Sequence, residues 1–254
     1  TYQPAGIPGL SLAVDTYSIE IEDAIFLTGG VTAVQQCNLD PTSPLCAFVS
    51  RGPNLADPNA VIQTRTSPVN LNRQTMQGTD FEISYKVPMD RLFTSFDAGG
   101  LRVRAIASYV DENVLVGPLA PGLNQAGNSI RNATAGTEAM PRVRGLLSLN
   151  HTRGPIASFL QLRYIGGMTW DKTRTLGVNT DFNDVASAAY FDGQVSYRTK
   201  LMGREVEVFL NVQNLLDKDP VFSPRTGGAT PLPTEPGLFD QIGRMYRLGL
   251  RTAF

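Results

Sequence analysis

The amino-acid sequence predicts an all-β protein whose fold is an antiparallel transmembrane β-barrel. Apolar and polar residues alternate along eight segments, which is the period of a strand with two different faces. These segments run for about ten residues or more, which is longer than strands of globular sheets and close to a tilted membrane strand. The connections between them are alternately long and short, as in barrels with short periplasmic turns and long extracellular loops.

The composition is poor in charge. Of 254 residues, 18% are charged, against roughly 25% in soluble domains, and 42% are hydrophobic. The formal net charge is -1, so we expect no nucleic acid as a partner. No run approaches the roughly 20 apolar residues of a membrane helix, which leaves alternating membrane strands open. The chain begins in mid-pattern without a methionine or signal peptide, and we expect a fragment or a processed product.

Each strand is predicted from its own alternation. The clearest is "REVEVFLNV", where Val206 and Val208 oppose Glu205 and Glu207. In the first strand the parity of the apolar residues slips near Asp15, and we expect a β-bulge there. The predicted strands lie near residues 9–24, 70–88, 100–112, 140–152, 155–166, 187–199, 203–213 and 242–254.

The tyrosines give a further test, because amphipathic aromatic side chains collect at the two membrane interfaces. Strands predicted to run outward carry Tyr109 and Tyr164 near their outer ends, and inward strands carry Tyr85 and Tyr197 near their inner ends. Counting back from the last tight turn, "TKLMG", puts the C-terminus in the periplasm. The structural alternative is a soluble β-sandwich, which shows the same alternation but needs neither regular loop lengths nor two aromatic bands.

The only two cysteines, Cys37 and Cys46, lie close together in "CNLDPTSPLC". This spacing favours a small loop closed by a disulfide, formed in an oxidising compartment. The alternative is a pair of free thiols. No other cysteine or nearby histidine is present to complete a metal site.

Seven arginines share the polar parity of the predicted strands. A charge facing lipid would cost roughly 2–4 kcal/mol at the bilayer midplane, so we expect these side chains to face the lumen. One hypothesis is that some of them bind an anionic substrate, since guanidinium groups suit carboxylates. The alternative is that they form ion pairs within the wall. They are Arg102, Arg104, Arg142, Arg144, Arg163, Arg247 and Arg251.

The sequence offers no recognisable catalytic machinery. One histidine, His151, and two paired cysteines do not build a nucleophile–base arrangement, and no nucleotide-binding or G-x-S-x-G motif occurs. We therefore expect neither enzymatic activity nor a cofactor or metal site. Trp170, the only tryptophan, lies in a predicted outer loop, where it could contact a ligand or anchor the loop itself.

The last segment, "GRMYRLGLRTAF", resembles the C-terminal signature that the barrel-assembly machinery recognises in bacterial outer-membrane proteins. Together with "VFLNVQNLLDKDP" it resembles the closing hairpin of TonB-dependent receptors. "SPLCAFVSR" followed by "SPVNLNRQTMQGTDFEISYKV" resembles the cysteine loop and a strand common in that family. The signature residues are Tyr246, Leu248, Leu250 and the terminal Phe254.

The resemblance implies a receptor. Members of the family have a roughly 22-stranded barrel filled by an N-terminal plug, so residues 1–254 would be about its last eight strands, with the plug outside this chain. The whole protein would bind a scarce nutrient outside the cell, a ferric siderophore or similar, and import it with energy relayed by the inner-membrane TonB complex. Contact with the plug is then a further role for the lumen arginines. Competing interpretations are a passive porin-like barrel, an autotransporter barrel and a soluble carbohydrate-binding β-sandwich.

Overall fold

The computed structural model describes the chain except for residues 54–56, 58, 66, 90–92, 94–95, 118–119, 131–137, 226–231 and 253–254. In that part of the chain, no helix is long and apolar enough to cross a membrane. The elements in chain order are β1 (Leu10–Thr28), α1 (Gly30–Leu39), a 3₁₀ helix (Pro44–Phe48), β2 (Val49–Gly52), β3 (Ala60–Thr64), β4 (Ser67–Val87), β5 (Gly100–Gly117), β6 (Ala120–Asn124), β7 (Val143–Arg153), β8 (Ile156–Ile165), β9 (Met168–Thr169), β10 (Asp184–Val185), β11 (Ala188–Leu201), β12 (Arg204–Gln213) and β13 (Met245–Thr252).

One antiparallel sheet dominates the structure. Its strands follow the chain in the order β1-β4-β5-β7-β8-β11-β12-β13, and β6 extends it by pairing with β5. Every strand on this path is antiparallel to its neighbours, so the predicted all-β, antiparallel fold class is confirmed. The sheet is not closed, because β1 and β13 form its two edges.

The prediction of a β-bulge near Asp15 is wrong. The pairing of β1 with β4 is unbroken from Leu10 to Ile21, and its irregularity comes later, on both sides of Ala24. What changes at Asp15 is the polarity of the two faces, not the register.

The physical reason is visible in the side chains that follow. On one face of β1 the residues become polar, at Thr16 and Ser18, while the opposite face becomes apolar, at Tyr17 and Ile19. Such a reversal is expected where a strand continues beyond a bilayer, because its outer face then meets water instead of lipid.

Tight turns lie at one end of the sheet. Residues 154–155 join β7 to β8, and residues 202–203 join β11 to β12. In the second turn both Met202 and Gly203 have positive φ, 50° and 79°, as a two-residue hairpin turn requires. Residues 88–99 join β4 to β5 at the same end, so the remaining, longer connections gather at the other.

The first long connection forms a small cap of its own. It contains α1, the 3₁₀ helix and the β2–β3 hairpin. The predicted disulfide is confirmed: Cys37 at the end of α1 and Cys46 in the 3₁₀ helix are bonded, with their Cα atoms 4.9 Å apart. Asp40 lies between them, and its Oδ1 accepts hydrogen bonds from the Thr42 hydroxyl and backbone N–H, which lower the pKa of this carboxyl.

The other three long connections fold against one another and supply the main hydrophobic core. They are the β5–β7, β8–β11 and β12–β13 connections, and they pack onto the ends of β8 and β11. We call this group of residues the loop core. Its buried members are Ala139, Ile165, Met168, Trp170, Val185, Ala188, Tyr190, Leu238 and Phe239.

Candidate functional site: the polar face of the sheet and the loop core

The pairing register sorts the side chains into two faces. A row of residues aligned side by side across all eight strands of the main path is apolar throughout, and the next row, on the opposite face, is polar across six strands. The apolar row is Leu10, Tyr85, Val103, Leu149, Leu160, Gly193, Val212 and Tyr246. The polar row is Ser11, Ser84, Arg104, Ser148, Gln161 and Asp192.

The apolar face has no covering layer in the part of the chain that the structure describes. Leu248 and Leu250 are 76% and 74% exposed. At roughly 25 cal/mol per Å² of apolar surface, contact with water along eight strands is strongly unfavourable. A long run of exposed apolar side chains marks a membrane or protein contact.

The polar face carries the predicted arginines. Six of the seven lie in strands, and the register places all six on this face, while Arg142 immediately precedes β7. The structure separates the seven arginines by the groups that their guanidinium groups contact, a distinction that the sequence could not make.

Three of the arginines are paired with carboxylates. Arg104 Nε donates to Glu82 Oε1 at 2.7 Å across the β4–β5 pair. Arg251 lies 3.4 Å from Glu207, which Arg198 also approaches at 3.8 Å. Arg142 donates to the backbone oxygen of Asp111 and lies 3.6 Å from its carboxylate. For these residues the structure favours the ion-pair alternative.

Arg163 contacts the loop core instead of a carboxylate. Its guanidinium carbon lies 4.9 Å from the centre of the Tyr190 ring, and Nη1 donates to the Leu238 carbonyl oxygen at 3.4 Å. Tyr190 is fully buried, and its hydroxyl accepts a hydrogen bond from the Asp240 backbone N–H. Arg163 and Asp192 line a cleft of about 350 Å³ beneath the 236–242 segment.

The remaining arginines, Arg102, Arg144 and Arg247, are different. Within the described ranges, none of the three forms a side-chain ion pair or hydrogen bond. They are therefore the members of the set whose charge is available to a further group.

Trp170 is part of the loop core. It is only 8% exposed, its Nε1 donates to the Pro224 carbonyl oxygen at 2.9 Å, and its ring lies 4.8 Å from that of Phe182. Arg174 covers its face at 5.7 Å. This burial favours the loop-anchoring alternative, and contact of Trp170 with a ligand stays a prediction.

Polar groups inside the loop core were missed by sequence reasoning. Lys172 Nζ donates to the carbonyl oxygens of Asn124 and Ala126, so one ammonium joins the β8–β11 connection to the β5–β7 connection. Burial, and secondarily the charge of Arg142, lower the pKa of Lys172. No local motif surrounds this lysine, since its partners are backbone atoms nearly fifty residues away.

The start of the last strand is tied to the loop that precedes it. Asp217 accepts hydrogen bonds from the backbone N–H and the guanidinium of Arg244, at 2.9 and 3.2 Å, and these bonds lower the pKa of Asp217. From there Tyr246, Leu248 and Leu250 follow one another on the apolar face of β13. The last predicted signature residue, Phe254, lies outside the described residues.

Comparison with known proteins identifies the family. The family described as "TonB dependent receptor-like, beta-barrel" matches residues 2–215, which is most of the chain, so this protein belongs to the TonB-dependent receptor β-barrel family. Membership implies an outer-membrane location. Among curated proteins, no sequence matches this one.

Comparison with solved structures finds similarity to transporters, and one of them, at a TM-score above 0.5, shares the fold. The FrpB iron transporter from Neisseria meningitidis is 17% identical with a TM-score of 0.53, and the match covers 96% of this chain. The copper transporter OprC is 16% identical over 97% of this chain, with a TM-score of 0.48. BauA, the ferric preacinetobactin receptor from Acinetobacter baumannii, is 14% identical over 94%, with a TM-score of 0.39. The chain spans only 29%, 29% and 34% of these three proteins.

Proposed function

We propose that this chain is the C-terminal barrel segment of an outer-membrane receptor that binds a scarce nutrient outside the cell and imports it with TonB-relayed energy. The nutrient is a ferric siderophore or a similar small molecule or oligosaccharide. The partners are outer-membrane lipid, the barrel-assembly machinery and, through a plug outside this chain, the inner-membrane TonB complex. The C-terminus lies in the periplasm, and the protein carries out no covalent chemistry.

The observation that carries this proposal is the separation of faces along eight paired strands. The apolar side chains of one face suit lipid, and hydrogen bonding between the strands satisfies the backbone groups, which a bilayer core without water requires. The opposite face, with Arg102, Arg144 and Arg247 lacking partners in the described ranges, suits a lumen through which a charged solute passes. The folded loop core at one end suits a receptor mouth, because it holds three connections in fixed positions.

The C-terminal signature fits the same proposal. The free edge of β13 must be captured until its neighbour pairs with it, and exposed edge strands otherwise aggregate. Tyr246, Leu248 and Leu250 with Phe254 would be read by the assembly machinery at that stage. Deleting Phe254 from the full-length protein should lower its amount in the outer membrane without changing transcript level.

Uptake by whole cells tests the function. The full-length gene is deleted and restored in strains with and without TonB, and uptake of radioiron-loaded siderophores, labelled cobalamin and labelled maltodextrin is measured. We expect one of these to enter only when both the receptor and TonB are present. Uptake that needs the protein but not TonB would indicate a passive barrel and would refute the proposal.

The arginines allow a matched pair of variants. Arg102→Gln removes a charge with no partner in the described ranges, whereas Arg104→Gln also leaves Glu82 without its partner. If the unpaired lumen arginines guide substrate, Arg102→Gln should reduce uptake while barrel levels stay normal. Arg104→Gln should act mainly on barrel levels. Normal uptake by the Arg102→Gln variant would show that Arg102 does not guide substrate and only helps to make the inner surface of the barrel polar.

A further inference from the structure

A cleft of about 400 Å³ lies on the polar face of β1, β4, β5 and β7. Its floor is one row of polar side chains, Asp80, Ser108 and Arg144, which the pairing sets side by side on three neighbouring strands. Strands in a sheet are about 4.8 Å apart, so the backbones of Asp80 and Arg144 are separated by about 10 Å.

The walls of the cleft are apolar, although they belong to the face that carries charges elsewhere. Tyr17, Met76 and Met140 line it above the polar row. Tyr17 lies across Gly78 on the neighbouring strand, where any β-carbon would collide with the tyrosine hydroxyl. A glycine inside a strand often permits such a close approach, and here it gives the tyrosine ring its position.

The charged groups in and beside the cleft have no neutralising partner among the residues that the structure describes. Asp80 lies directly opposite Asp15 on β1, and like charges in directly opposed positions destabilise a sheet. In the described part of the chain, the side chains of Asp15, Asp80 and Arg144 form no ion pair or hydrogen bond. Nearer the tight turns, by contrast, Glu82 and Arg104, which belong to successive rows of the same face, satisfy each other at 2.7 Å.

We propose that this cleft binds a small zwitterionic molecule with an apolar body, of about the size of an amino acid or dipeptide. Its cationic group is held by Asp80, which Asp15 opposes on β1 as a second negative charge, its anionic group by Arg144, and its body by Tyr17 and the two methionines. The cleft volume lies in the range of small-molecule sites, and Asp80 and Arg144 both line the cleft, two strands apart. The inference rests on the proposed receptor function and names a ligand class for its inner surface.

Calorimetric titration of the full-length protein in detergent tests this site, with the dipeptide Phe-Gly as probe. We expect Asp80→Asn and Arg144→Gln each to weaken binding about tenfold or more, because each removes a hydrogen bond to a charged group. The N-acetylated dipeptide should be insensitive to Asp80→Asn, and the C-terminal amide should be insensitive to Arg144→Gln. Arg198→Gln, on the same face near the 202–203 turn, is the matched control and should bind normally.

Three results would overturn the inference. The first is the absence of binding at millimolar Phe-Gly, and the second is binding that both cleft variants leave unchanged. The third is failure of a membrane-impermeant maleimide to label Met76→Cys in intact cells, because the rest of the polypeptide would then cover the cleft. TonB-dependent uptake of a different nutrient, observed together with any of these results, would refute the cleft ligand but not the receptor function. Dipeptide binding without any TonB-dependent uptake would refute the receptor function and leave the binding site standing.

Discussion

Tyr190 and Tyr197 lie on the same strand, seven residues apart, yet one is fully buried and the other is 50% exposed. Tyr190 points to the polar face at the long-loop end, where the loop core covers it. Tyr197 lies on the apolar face near the tight turns, aligned with Ile156 and Val208. The same residue type on one strand thus serves two different environments.

The difference shows where this chain obtains its stability. The sheet is a single layer, so in the described structure its apolar face packs on nothing, and under the proposed function lipid covers it. The loop core is a hydrophobic core of the kind found in soluble domains, in which side chains such as Trp170 and Phe239 are buried by packing on one another. The energetic cost of a substitution should therefore depend on side-chain packing in the loop core and on contact with lipid on the apolar face of the sheet.

The largest effect is expected in the loop core. Tyr190→Ala should destabilise it by about 3–5 kcal/mol, since a buried aromatic is replaced by a cavity. Limited proteolysis of the full-length receptor would show cleavage in all three core-forming connections. Tyr197→Ala is the matched control and should leave proteolysis of the loops unchanged. Protection of the loops in Tyr190→Ala would mean that the strands alone hold them.

The next effect concerns the apolar face. Leu210→Arg, between Val195 and Leu248 in the register, should cost roughly 2–4 kcal/mol in a bilayer, and unfolding in lipid vesicles would measure it. Gln194→Arg places the same charge on the polar face, opposite Asn211 and Phe159, and should cost much less. Equal costs for the two variants would contradict the assignment of lipid to the apolar face.

A smaller and local effect is expected in the disulfide-closed cap. Removing the bond by Cys37→Ser with Cys46→Ser opens a short ring, which should cost about 2–3 kcal/mol of local stability. Hydrogen exchange should rise in α1 and the 3₁₀ helix but not around Tyr190. Faster exchange in the loop core would show that the two regions are coupled.

The smallest effect is a pH dependence of the loop core. Because the folded-state pKa of Lys172 is lowered, the unfolded chain binds more protons between that pKa and about 10.4, so stability should rise with pH across this window. Proteolysis of the connections at increasing pH would measure it, and Lys172→Arg should remove the dependence. A loss of stability over the same window would contradict burial as the cause.

Alternation in the sequence was enough to predict the all-β, antiparallel class and the identity of the two faces. In β12, for example, Val206, Val208 and Leu210 could be separated from Glu205 and Glu207 by parity alone, because successive side chains in a strand point to opposite faces. The local spacing of Cys37 and Cys46 likewise predicted their bond. These features depend on neighbours in the chain.

Tertiary structure decided what depends on distant residues. Parity suggested a bulge near Asp15, and only the regular pairing put Asp15 and Tyr17 on one face and set Asp15 against Asp80. Nor could it tell that Trp170 and Tyr190 would be buried together, or that Arg104 has a carboxylate partner while Arg102 has none in the described ranges. The sequence by itself determined the face of the residues in strands that alternate regularly, such as β12, since that follows from backbone geometry, but not in β1 beyond Asp15, where the predicted bulge would have reversed the faces. Which side chains meet was decided only when register and loop packing brought distant segments together.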